Sequence, residues 1–165
     1  VQAVLEMELQ FEDFGIRPDW VFVSGTNMIP AGLSTGFRIL GRETRVSGIA
    51  PILWDEDRKV DIARIANATA KLLECDLELS PSDILSSDEY IGERYGVLTK
   101  EGRDALKLVA ETEGIFLDPV YTSKAMAGMI DQIRKGIITK NETIVFIHTG
   151  GLPALFAYAE DLMLS

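Results

Sequence analysis

A three-layer α/β fold, a mostly parallel sheet with helices on both faces, is predicted by two observations. Strand-like and helix-like hydrophobic periods alternate from end to end, and no repeat, linker or low-complexity tract interrupts them. A third observation sets the scale: 165 residues, 47% hydrophobic and 25% charged, suit one domain that buries roughly two thirds of its unfolded surface.

Each element has a local reason. Gln2 to Phe14 spaces Val4, Leu5, Leu9 and Phe11 among glutamates, an amphipathic helix that stops at Gly15. Trp20-Val21-Phe22-Val23 is β-branched and aromatic and reads as a buried strand. After the loop Ser24-Gly25-Thr26-Asn27, a helix is predicted from Ala31 to Leu40, with Leu33, Phe37 and Leu40 on one face and Gly41 as its stop. Thr44 to Ile49 is the second strand. Asp55 to Cys75 carries Val60, Ile62, Ile65, Ala66, Ala70 and Leu73 between charged residues, a long surface helix. Ser80 to Glu89 reads as loop, and Tyr90 to Val97 as loop by elimination, since it has no clean period. Thr99 caps a helix from Lys100 to Glu113 that Gly114 ends. Ile115-Phe116-Leu117 is predicted as a short strand closed by Asp118-Pro119. Thr122 or Ser123 then caps a helix through Lys135 with Gly136 at its stop. Thr143 to Ile147 is the last strand, and Leu152 to Tyr158 lies in a short terminal helix.

Composition excludes several function classes. The formal net charge of −10 argues against a nucleic-acid partner, whose binding draws on Lys and Arg. Cys75 is the single cysteine, so neither an intramolecular disulfide nor a multi-thiolate metal site is expected, and a reducing, cytoplasmic home is. No apolar run approaches the roughly 20 residues of a membrane helix, and no signal-like stretch is seen. Residue 1 is Val, which raises the expectation that the chain is a piece of a longer polypeptide.

In an open α/β sheet, ligands bind outside the carboxyl ends of the strands, so the strand-to-helix junctions are the places to look. Ser24-Gly25-Thr26-Asn27 offers amides and hydroxyls at a helix start, an anion cradle suited to phosphate or else a simple turn. Pro30 donates no amide there. His148-Thr149-Gly150-Gly151 lets backbone approach a flat ligand, with the Thr149 hydroxyl beside it. His148, the one histidine, reads as a structural imidazole rather than an acid or base, because no second His or Cys accompanies it. Tyr121, just before a helix, either reaches into a cleft to move a proton or packs half-buried.

Residues 113–131 (EGIFLDPVYTSKAMAGMID) and 147–158 (IHTGGLPALFAY) resemble the C-terminal part of the D-cysteine desulfhydrase and 1-aminocyclopropane-1-carboxylate deaminase family. Tyr95-Gly96-Val97 fits at the spacing from Tyr121 that the family shows. The resemblance extends over essentially the whole chain, more weakly before Tyr90. It implies a pyridoxal-phosphate enzyme of fold type II, related to the tryptophan synthase β subunit, of which residues 1–165 are the C-terminal portion. By position, Tyr95 and Tyr121 face the substrate and Thr149, with Gly150 beside it, meets the pyridine nitrogen of the cofactor. Ser24, Gly25, Thr26 and Asn27 lie in the phosphate loop.

Thr122 tips this reading toward the desulfhydrases, because the deaminases resemble this segment but carry Glu directly after the tyrosine. The implied reaction is β-elimination from D-cysteine to pyruvate, hydrogen sulfide and ammonia; the deaminase is the alternative within the family. The resemblance has two departures. Asn27, Met28, Ile29 and Pro30 replace a small run containing Gly and Thr, and the Schiff-base lysine belongs to an N-terminal portion that this chain lacks; Lys124 does not stand in its place. A catalytically silent domain binding a ligand or partner through the same clefts is the reading from another class. The expected partners are a small amino-acid substrate and either a second copy, as in a homodimer, or a complementary N-terminal chain. Exposed strand edges or an apolar face are expected to follow, with no metal, nucleic acid or membrane.

Overall fold

The computed structural model describes residues 1–163. Four strands, β1 (Trp20–Ser24), β2 (Arg45–Ile49), β3 (Leu85–Ser87) and β4 (Ile144–Ile147), form one sheet in the order β3-β2-β1-β4. All three pairings are parallel, with Val21 opposite Val46 and Val145, and Val23 opposite Gly48 and Ile147. β1 is central and wholly buried, which is why it reads as a continuous apolar run.

Alternation along β1 divides the core. Val21 and Val23 pack with Val4 and Phe11 of α1 (Gln2–Phe14) and Leu33 and Phe37 of α2 (Met28–Ile39). α3 (Arg58–Leu72) lies outside α2, through Ala31, Ile62, Ala63 and Ala66. Trp20 and Phe22 face the other way, onto Ala125 of α5 (Thr122–Arg134) and Ile138. α4 (Lys100–Glu113) packs on α5 through Ala105, Leu106, Val109 and Met126. Helices therefore cover both faces, as predicted.

Helix ends follow the capping residues. α1 stops at Gly15, φ 64°. α2 begins three residues earlier than its apolar period indicates, because the Asn27 side chain accepts from Met28 N at 2.8 Å. α3 is shorter than predicted, starting where Asp57 accepts from Lys59 N at 2.9 Å. Thr99 caps α4 as expected, accepting from Gly102 N at 3.0 Å.

Three expectations are corrected. The loop expected at Ser80 to Glu89 contains a 3-10 turn (Pro81–Asp83) and β3; Leu-Ser-Ser has no strand signal of its own and becomes one by pairing with the edge of β2 at Ser47–Ile49. Ile115-Phe116-Leu117 is not a strand. It is apolar, but no ladder takes it up: Ile115 and Phe116 are exposed and Leu117 alone is fully buried. The terminal helix is two short turns, α6 (Ala154–Ala157) and α7 (Ala159–Met163). Among the described residues, no helix is long and apolar enough to cross a membrane.

The α1–α2 contact is close enough to test. A Cβ on Gly36 would lie 2.6 Å from Val4 Cγ2, while Gly15 has nothing within 4 Å of such an atom. Gly36→Ala is expected to cost about 1–3 kcal/mol in urea denaturation by overpacking, against roughly 1 kcal/mol for Gly15→Ala from its positive φ alone.

Candidate active site at the carboxyl ends of the strands

The strand order places a switch point between β1 and β4. The chain moves from β1 to β2 and β3 on one side, then returns through α4 and α5 to β4 on the other. The carboxyl ends of such a pair open a crevice for ligands. Ser24 ends β1 and His148 follows β4, and Val23 pairs with Ile147 one residue before each. The two predicted cofactor loops are therefore neighbours.

On the β1 side, the Ser24 hydroxyl is buried and has no partner among the described residues. A buried hydroxyl left unpaired is costly, so it marks where a polar group belongs. The Thr26 hydroxyl and the amides of Thr26 and Asn27 are likewise without partners among the described residues, at the N-terminus of the twelve-residue α2. This donor set fits a phosphate. Asn27 is different: its carbonyl caps Met28 and its amide donates to Asp61 Oδ2 at 2.9 Å. That bond, helped by Arg64 and opposed by burial, holds the Asp61 carboxyl below the usual carboxylate range. The Asn27 side chain thus ties the loop to α3. Met28 and Ile29 are exposed at the turn.

On the β4 side, Thr149 is exposed and the open space beside Gly150, φ 105°, leaves room for a flat ligand. His148 sits differently from a catalytic base. Its Nδ1 accepts from Gly150 N at 3.3 Å, so Nε2 carries the proton and donates to Phe116 O at 2.8 Å. Both ring nitrogens are used to shape the loop, in keeping with a structural imidazole.

The two tyrosines meet. Tyr95 Oη and Tyr121 Oη are hydrogen-bonded, with ring centroids 6.0 Å apart at 62°. That bond, then burial, pushes the Tyr121 phenol up to about 12. The Tyr121 phenol therefore keeps its proton at neutral pH. One hydroxyl proton is committed to the pair and the other is free to point at a ligand.

Sequence reasoning missed what holds Tyr121. Asp118 is fully buried, and its carboxylate accepts from Val120 N at 2.8 Å, Tyr121 N at 2.7 Å and Thr122 N at 2.7 Å. Thr122 Oγ1 donates to it at 2.6 Å and accepts from Asp118 N at 2.7 Å. Tyr121 is the N-cap of α5 and makes no side-chain cap bond; the Asp118 carboxylate, not Thr122 or Ser123, takes up the first helical amide. An Asp four residues before a helix start was the available signal, hidden by its place in an Asp-Pro turn. The same knot reaches the β4 loop, because a Cβ on Gly151, φ 89°, would lie 2.6 Å from Asp118 Cγ.

The switch point thus has a donor set that suits a phosphate on one side and open glycine backbone on the other, and Asp118 links Tyr121 to the second of these loops. The chain belongs to the pyridoxal-phosphate dependent enzyme family, whose model matches residues 1–150. It is 37% identical over 155 residues to the 1-aminocyclopropane-1-carboxylate deaminase of Rhizobium rhizogenes, covering 93% of this chain and 46% of that protein. Its identity to the protein of the same name from Burkholderia vietnamiensis is 39% over 160 residues, 96% of this chain and again 46% of the relative. A solved ACC deaminase homologue superposes with a TM-score of 0.78 at 36% identity, covering 90% of this chain and 44% of that one. The chain thus spans about half the length of the relatives it matches, their C-terminal part.

Asp118→Ala is expected to destabilise the protein by on the order of 3 kcal/mol in urea denaturation, because it strips a cap and leaves buried amides unpaired. Asp118→Asn, which keeps one acceptor, is expected to lose less. A cost for Asp118→Ala within about 0.5 kcal/mol, the range of a surface change, would contradict this account.

Proposed function

We propose that this chain forms the C-terminal part of a pyridoxal-phosphate-dependent lyase that releases ammonia from a small amino acid, with 1-aminocyclopropane-1-carboxylate as the first substrate to test. The observation that carries the reading is the Tyr95–Tyr121 hydroxyl pair, tied to the β4 loop through Asp118 and Gly151; the names of the relatives supply the substrate.

When bound, the cofactor supplies an electron sink that stabilises negative charge at the carbon next to the substrate nitrogen. The residues of this chain bind and orient. The Ser24 and Thr26 hydroxyls and the amides of Thr26 and Asn27 hold the phosphate. The neutral Thr149 hydroxyl meets the ring nitrogen, with Gly150 giving the ring room. The Tyr121 phenol, raised to about 12 and held against Tyr95, donates a hydrogen bond or proton to the substrate rather than abstracts one. Lys124 is fully buried and donates to Ile91 O at 2.6 Å, so it is closed to the cofactor. On this reading the Schiff-base lysine comes from a part outside residues 1–165, in keeping with a chain that spans about half the length of its relatives. Ile115, Phe116, Leu152 and Phe156 are exposed and give that part, or a second copy, apolar surface to cover.

Thr122 supports a second reading, D-cysteine desulfhydration. Its hydroxyl is shut against Asp118 in a fully buried position, so α5 begins without the carboxylate that marks the deaminases at this place. The full-length protein with pyridoxal phosphate separates the readings. The first predicts ammonia from 1-aminocyclopropane-1-carboxylate; the second predicts sulfide together with ammonia from D-cysteine. If the cofactor's visible absorption develops on binding but neither substrate is consumed, both fail. If no such band develops, the silent binding domain replaces them.

A further inference from the structure

Along α5, Tyr121, Lys124, Gly128 and Asp131 recur at the three- and four-residue spacing that lines up one face of a helix. Each of these positions meets a point on the irregular segment 90–96. Tyr121 Oη bonds Tyr95 Oη. Lys124 Nζ donates to the main-chain carbonyl of Ile91 at 2.6 Å. A Cβ on Gly128 would sit 3.0 Å from Tyr90 Cε2, so the Tyr90 ring lies on bare helix backbone. Asp131 Oδ2 accepts from Tyr90 Oη at 2.6 Å. The order is reversed, Tyr90 at the C-terminal end of the stripe and Tyr95 at the N-terminal end, so the segment runs antiparallel along about 15 Å of helix.

The segment does little to hold itself. Its own main chain supplies Ile91 N to Asp88 O at 3.2 Å and Val97 N to Arg94 O at 3.3 Å, and Gly92 and Gly96 take positive φ of 76° and 79°. On its far side, Tyr158 Oη donates to Gly96 O. Lys124 is the costly member of the stripe. A fully buried ammonium with one carbonyl partner loses its hydration; burial pushes its pKa down, and the charge of Asp118 opposes that shift. An apolar side chain would fill the space at less cost, so the ammonium matters for where it holds Ile91.

We propose that this stripe is a docking seam that sets the position of the Tyr95 phenol, with Lys124 as its central positioning residue. The proposal rests on the reading of Tyr95 and Tyr121 as the substrate-facing pair. It also states why a segment without a period of its own is ordered: the period that orders it is on α5.

The test uses the full-length protein with Lys124→Met, which keeps the unbranched apolar stem and removes the ammonium. Amide exchange at residues 91–97 is expected to become roughly tenfold faster while α1 to α3 keep their protection. Turnover of whichever substrate the wild type accepts is expected to fall on the order of 10- to 100-fold in kcat, with KM within about twofold. If Lys124→Met does not fold, Tyr90→Phe carries the test, since it removes only the bond to Asp131 and is expected to loosen the same segment severalfold. Wild-type exchange at residues 91–97 in the folded variant overturns the seam, whatever happens to turnover. Faster exchange in a protein whose wild type consumes neither substrate supports the seam and sinks the catalytic reading instead.

Discussion

The buried carboxylate of Asp118 is the constraint on which the rest of the site depends. It takes up the main-chain amides of residues 120–122 and the Thr122 hydroxyl, and so fixes where α5 begins and where Tyr121 stands. From the other side, Gly151 lies so close to it that a Cβ would fall inside van der Waals contact. One carboxylate therefore joins the helix start that carries Tyr121 to the loop that carries Thr149. An uncapped helix start buried under a loop would leave several donors unpaired, and here a single charged acceptor serves them together.

The charge at Asp118 also has a counterpart. Lys124, one turn into α5, is fully buried and lies in its field. The two are not in ion-pair contact; each is held by its own hydrogen bonds, Asp118 by the helix amides and Lys124 by Ile91 O. The carboxylate positions Tyr121 and the ammonium positions the segment that brings Tyr95 to it. The meeting of the two phenols is thus set by two buried charges on either side of a helix start. Against this rigid side stands the β1 side, where the Ser24 hydroxyl is left free and Asn27 is turned away to Asp61.

Much of the fold was legible because its signals are local. Gly15, Thr99 and Gly114 end or begin helices by backbone geometry and capping that a few residues determine, and β1 announces itself as an apolar run. What was not legible is non-local. Leu85–Ser87 is a strand because the edge of β2 is there, and residues 115–117 are not one because no ladder receives them, although their composition suits it better. At the site, the types and places of Tyr95, Tyr121, Thr149 and Ser24 could be read from the resemblance, and the structure brings the tyrosines together and the two loops side by side. The capping role of Asp118 and the burial of Lys124 could not be read, since an Asp-Pro turn looks like a strand stop and a lysine in a helix looks like surface. The spacing of Tyr121, Lys124, Gly128 and Asp131 was in the sequence, but its partner segment showed no matching period.

Contact between Gly151 and Asp118 holds the Thr149 loop in place, and with it the cofactor contact proposed for Thr149. Titration of the full-length protein with pyridoxal phosphate, followed by its visible absorption, tests this with Gly151→Ala. The added methyl must displace the loop from Asp118, and the φ of 89° strains any side chain there. Affinity is expected to weaken by roughly tenfold or more, about 1.4 kcal/mol, in a protein that remains folded. Wild-type affinity in the folded variant would contradict it.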